Sequence, residues 1–336
     1  MLSRVANSLY WIGRYIERAE NTARILDVNL QLLDDFEAYV DGVEEVFWEA
    51  IVQSTGDVEL FREHHDGIDA DGVTAFLTRE AHNPNSIFSS VSSARENARM
   101  IRDQISEEMW ECINEMYHFV RNEQEFLDNE ETTNYDFFEE IKNYSYRFVG
   151  LMEATYFHSE GYKFLQVGRY LERADQTSRI LDLKYFLPLP DGQQGGGTVD
   201  IAIWVAILRS SSAVDAFQSN RTGEADALNV SGFLILSQNF PRSIRYCLRQ
   251  LEQQLRSISG TDEGFYANRA EKLAGRLMGD VAYASIDDIW EEGLHEFIDR
   301  VQLRLIGLNQ SIYEEYFQLP AVDMEAEIAV QRSQQQ

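Results

Sequence analysis

The chain has 336 residues, 44% of them hydrophobic, with few prolines and 29 basic against 57 acidic residues, a formal charge of −28. This composition supplies a large core and favours helix over sheet. So negative a field repels nucleic-acid phosphates and anionic lipid headgroups, which excludes general nucleic-acid and membrane-surface binding.

Apolar residues recur at helical spacing in almost every segment and predict helices near 3–35, 43–62, 86–126, 134–157, 159–186, 199–218, 224–238, 240–258, 264–280 and 285–318. Between them, His82-Asn-Pro-Asn-Ser86 reads as a turn followed by a helix start. Pro188 to Gly197 reads as a loop; it lacks a Gly-Lys-Ser/Thr sequence and a preceding strand, so its glycines serve flexibility rather than phosphate binding. The tail from Ala321 is polar and expected to fray. Cys112 and Cys247 stand alone in separate helical stretches and read as small buried apolar residues. No stretch approaches the ~18 apolar residues of a membrane span and no leader pattern opens the sequence, so a cytoplasmic location is expected.

The sequence repeats itself. Residues 13–27, GRYIERAENTARILD, and 168–182, GRYLERADQTSRILD, share eleven of fifteen positions at a spacing of 155. The register continues at a spacing of 156 from Trp48, Ala50, Ile51, Ser54, Val58 and Phe61 to Trp204, Ala206, Ile207, Ser210, Val214 and Phe217. It extends at 157 from Phe76-Leu77 and Pro84-x-Ser86-Ile87 to Phe233-Leu234 and Pro241-x-Ser243-Ile244. We read two related halves, 1–155 and 156–320, followed by a polar tail, 321–336. The expected architecture is an all-α, duplicated multi-helix bundle with an approximate internal twofold, fused rather than beaded.

On a helix, Arg14, Glu17, Asn21 and Arg24 fall within about 80° of one another, and apolar residues fill the opposite arc. The second copy presents Arg169, Glu172, Gln176 and Arg179, and Arg18 and Arg173 flank the two stripes at the same angle. Ordinary i,i+3 and i,i+4 surface pairs, such as Arg14 with Glu17 or Glu20 with Arg24, do not require arginine at all three positions in both copies. A planar guanidinium fork held against a carboxylate or phosphate does. The network therefore either locks helices together or binds an anionic ligand or partner segment.

The duplicated Glu-Arg helices, Asn83-Pro-Asn-Ser86-Ile87, Ala94-Arg-Glu-Asn-Ala-Arg99, Ser106-Glu-Glu-Met-Trp110 and the run from His158 to Asp175 resemble the bacterial Alpha-E domain family. The similarity covers most of the chain. It implies an all-helical protein that works with circularly permuted ATP-grasp proteins, and often with transglutaminase-like ones, in ATP-dependent amide-bond formation on peptides. The chain itself has neither the strands nor the nucleotide loop of an ATP-grasp fold, so ATP and Mg belong to a partner and no cofactor is expected here. The resemblance points to an auxiliary binding component. A stand-alone enzyme with Glu17, Glu172 or His158 in acid-base roles, and a di-metal carboxylate bundle, are the alternatives.

Other groupings are less specific. Arg95, Arg99 and Arg102 form a basic stripe that, with Glu96 and Asn97, makes a second candidate binding face or pairs with surface acids. Glu115-x-x-His118 and Glu292-x-x-His295 have di-metal spacing but do not correspond under the repeat, and His64 and His65 point about 100° apart, so no metal site is expected.

Overall fold

In the computed structural model, residues 1–36, 44–126, 134–187, 195–220 and 223–318 are described, and among them the chain is all helix without strands. The first half supplies α1 (Ser3–Phe36), α2 (Glu44–Thr55), α3 (Val58–His64), α4 (Ala70–Thr78), α5 (Ile87–Met100), α6 (Glu107–Phe126) and α7 (Asn134–Thr155). The second supplies α8 (Glu160–Phe186), α9 (Thr198–Ser210), α10 (Val214–Ser219), α11 (Ala227–Leu236), α12 (Ile244–Ser259), α13 (Arg269–Tyr283), α14 (Ile286–Glu292) and α15 (Leu294–Ile312), which ends in a π turn, Tyr313–Phe317. The loop at 188–194 and the tail lie outside the described residues.

Several predicted helices are broken, each at an identifiable residue. The 43–62 segment divides at Gly56, whose φ of +82° no α-helix continues through, and 199–218 divides at Ser212, φ +48°. The 86–126 segment divides where Ile101 leaves the helical region and a 3-10 turn intervenes, after which the Ser106 hydroxyl accepts from the Met109 N–H. Gly293, φ +106°, splits the last segment into α14 and α15. Helix α4 falls outside the predicted helices, being short and carrying Gly72; Asp69 starts it by accepting from the Gly72 N–H.

Helices α1 and α8 cross at the centre of one continuous hydrophobic core. Two glycines set their approach. A Cβ on Gly13 would stand 2.3 Å from the Leu165 carbonyl oxygen, and one on Gly168 would stand 2.0 Å from that of Tyr10, the residue that precedes Leu165 by the same 155 positions. Around this crossing, α5 and α7 pack on α1, and α12 and α15 pack on α8. The second helix of each half also reaches across: α2 lies against α8, and α9 lies against α1 as well as α8. Matching details recur at the repeat spacing. Ser86 and Ser243 cap α5 and α12 through the N–H three residues on, Asp69 and Asp226 cap α4 and α11 likewise, and Phe61–Phe76 and Phe217–Phe233 meet edge to face. Among the described residues no helix is long and apolar enough to cross a membrane.

Candidate functional site

The close crossing forces the polar stripes of α1 and α8 against each other, so each helix must satisfy the other's buried charges. They do so by exchange. Arg18 on α1 forks onto Glu172 of α8, Nε to Oε1 at 2.7 Å and Nη2 to Oε2 at 3.1 Å. Arg173 on α8 forks onto Glu17 of α1, Nε to Oε1 at 2.7 Å and Nη2 to Oε2 at 2.6 Å. Arg14 adds a bond from Nε to Glu172 Oε2 at 2.6 Å, and its counterpart Arg169 stands 3.8 Å from Glu17. The i,i+3 pair Arg14–Glu17 suggested by spacing is thus replaced by a cross-helix pairing, whereas Glu20–Arg24 forms as an i,i+4 pair at 2.8 Å.

Burial works to raise the pKa of Glu17 and Glu172, but the arginines outweigh it: Arg173 and Arg242 for Glu17, Arg14 and Arg18 for Glu172. Both carboxyls are held below the ordinary range. Glu17 and Glu172 are 1% and 0% exposed with both oxygens bonded, so each is a fixed anion rather than a group poised to exchange a proton near neutrality. Burial raises the thiols as well, Cys247 to about 12 and Cys112 to about 11, so both stay protonated.

The two ends of the crossing differ. Around Glu17 a third guanidinium closes the space: Arg242 donates to Glu17 at 3.2 Å, to Asn21 at 3.1 Å and to Glu20, whose other oxygen accepts from Ser145. The repeat places Asn85 where Arg242 stands. Asn85 is shorter and uncharged; it accepts from Arg18 Nη1 at 2.7 Å and donates to Asp57. A cavity of about 140 Å³ remains there, lined by Arg14, Arg18, Asn85, Glu172, Arg179 and Asn309 among others. Arg14 Nη1 is bonded to Asn309, while Arg179 bonds Asp175 through Nε and the Ser54 and Thr55 carbonyls through Nη1. Among the described residues the Nη2 atoms of Arg14 and Arg179 have no acceptor. Three guanidiniums against the carboxylates of Glu172 and Asp175 leave this cavity with a positive balance inside a strongly acidic protein.

At the far end of each stripe, Arg24 and Arg179 serve matching turns. Arg179 bonds the last carbonyls of α2 beside Gly56, and Arg24 donates to the hydroxyl of Ser212, the residue that occupies the Gly56 position after α9. Arg24 also meets Tyr146.

The remaining sequence candidates lie away from the cavity. Arg95 and Arg99 both pair with Glu96, Arg95 and Arg102 stand over the Trp110 ring, and Asn97 bonds the Ser93 carbonyl of its own helix. Glu96 thus pairs with two of the three arginines of the stripe, and Arg102 is engaged by the Trp110 ring alone among these contacts. His158 is half-exposed, stacked on Tyr162 and 3.8 Å from Glu153. Glu115 pairs with Arg147, Glu292 with Arg300, and His295 with Asp182. Sequence reasoning missed Arg242, Asn85 and Asn309; the first two occupy the variable position of the repeated Pro-x-Ser, the one place where the signal was available.

These contacts define an all-helical protein in which the Glu-Arg pair is a reciprocal clamp at a helix crossing. The sequence model of Alpha-E, described as "a predicted alpha-helical domain with a conserved ER motif", matches residues 1–317, and the chain belongs to this family. Uncharacterized proteins of Mycobacterium bovis (strain ATCC BAA-935 / AF2122/97) and Mycobacterium tuberculosis (strain CDC 1551 / Oshkosh) are each 23% identical over 288 residues, covering 82% of this chain and 31% of theirs. The chain thus spans about a third of the length of the curated relatives it matches. No solved structure matches.

Proposed function

We propose that this protein is a binding component of a cytoplasmic, ATP-grasp-dependent system that forms amide bonds on peptides, and that it holds a carboxylate-bearing peptide or intermediate at the Arg14–Arg18–Arg179 cavity. The observation that carries the reading is the asymmetry of the crossing. One end is closed by Arg242, and the other is left open, lined by guanidiniums with unspent donors. Such donors match a carboxylate or phosphate oxygen. Glu17 and Glu172, fixed as ions, supply rigidity, and the chemistry falls to the partner with its own ATP and Mg. That relatives carry a matching region within chains about three times as long fits a module that acts beside another domain.

The test combines the purified chain with an ATP-grasp protein encoded beside it and measures ADP release with candidate peptides. The expected result is faster, peptide-dependent ATP turnover in the presence of this chain. Ile306 lines the cavity and is 57% exposed, so Ile306→Glu places a negative charge there without breaking any ion pair. It should preserve the fold and reduce the stimulation. No association and no change in turnover would refute the proposal.

A further inference from the structure

In the segment that leads to Asn85 and at the end of α3, three ligand-type side chains converge. His65 caps the end of α3, where the backbone turns extended, and Glu80 and His82 sit in the turn after α4. Glu80 Oε2 lies 3.1 Å from His65 Nε2 and 2.9 Å from His82 Nε2, and one donor atom from each residue falls within 4.8 Å of the other two. Among the described residues this is the one such group of histidine, cysteine and carboxylate side chains.

We propose that His65, Glu80 and His82 bind a zinc-class divalent transition-metal ion. Two imidazoles and one carboxylate are a donor set that such ions take with three protein ligands, leaving the remaining position to solvent. Bonds of about 2.0–2.1 Å at tetrahedral angles place donor atoms roughly 3.4 Å apart, within about half an ångström of the two separations from Glu80. The rings are held in place by packing. His65 stacks on Phe61 at 4.4 Å and His82 on His64 at 3.7 Å, and Phe76 stands against both ligand rings. Gly72 leaves room beside His65, since a Cβ there would come within 3.3 Å of Nδ1. All three side chains keep partial access to solvent, from 20% to 34%, and the net charge of −28 draws divalent cations towards the surface. The bound ion would tie α3 to the segment that presents Asn85 to Arg18.

Adjacent His64 is not part of this group; its Nδ1 faces the Leu60 carbonyl and its ring stacks on His82. Helical ligand spacing does not reveal the group, since its members lie at 65, 80 and 82 on two loops.

The experiment is calorimetric titration of the untagged full chain with ZnCl2 alone, together with the visible absorption of the Co2+ form. One equivalent should bind saturably, and Co2+ should give the intense bands of a four-coordinate site. His82→Ala and Glu80→Gln should each lower affinity at least about tenfold, with the helical circular dichroism unchanged, while His295→Ala should leave it within about twofold. His82 is at the surface, so its variant removes a ligand without opening the core. Absence of saturable binding overturns the assignment. So does equal affinity in the wild type, His82→Ala and Glu80→Gln, which would mean that the three residues form only a hydrogen-bonded cluster.

Discussion

A buried carboxylate forked by arginine is a device of position more than of stability, because removing two charges from water costs about as much as their attraction returns. Breaking it is another matter. Glu172→Gln should leave Arg14 and Arg18 short of their counter-charge, and Glu17→Gln should do the same to Arg173 and Arg242. Each substitution is expected to cost about 3–5 kcal/mol in urea unfolding, and a loss under about 1 kcal/mol would contradict the burial of these carboxylates. The same groups set the acid response. Glu17, Glu20 and Glu172 all titrate lower when folded than their ordinary 4.5, Glu20 at about 2, because burial is outweighed by the facing arginines. Folded protein therefore binds fewer protons than unfolded, so stability is full above about pH 4.5 and falls as the pH drops towards 2. Urea midpoints should decline steeply across that window, and Glu17→Gln should flatten the decline.

Among the helices, the crossing of α1 over α8 depends on the absence of two side chains. Alanine at Gly13 or Gly168 would gain about 1 kcal/mol of helix propensity, but its Cβ would meet a backbone carbonyl at 2.3 or 2.0 Å, where nothing can rotate away. The clash wins. Both variants should be less stable by about 1–3 kcal/mol or more, by similar amounts at the two sites, as separation of the helices would also lengthen every Arg–Glu bond. Gly150, exposed in α7 with open space around its Cβ position, is the control: alanine there should raise stability by about 0.5–1 kcal/mol, all three variants being compared by thermal unfolding.

For the molecule as a whole, charge is unevenly spent. The buried arginines are committed to the crossing, which leaves an acidic exterior under its own repulsion. Added salt screens exposed charges far better than buried pairs, so raising NaCl from about 10 mM to 150 mM should raise the Tm by roughly 2 °C for each kcal/mol of repulsion relieved. A falling Tm would mean that the arginine network is more solvent-accessible than its burial indicates.

Much was legible without coordinates, for definite reasons. Helical periodicity and the scarcity of proline determined an all-α chain, and identity between two distant segments marked Arg14, Glu17, Arg18 and their partners Arg169, Glu172 and Arg173 as constrained. Periodicity overran the breaks at Gly56, Ile101, Ser212 and Gly293, because a turn that keeps apolar residues inward leaves the pattern nearly intact. Only the tertiary structure decided which arginine meets which carboxylate. Spacing along one helix offers Arg14 to Glu17, but a crossing close enough to forbid a Cβ brings Glu172 within 2.6 Å instead. Spatial proximity likewise decided that Arg242 closes one end of the crossing while Asn85 leaves the other open, since 225 residues separate Arg242 from the Glu17 it holds.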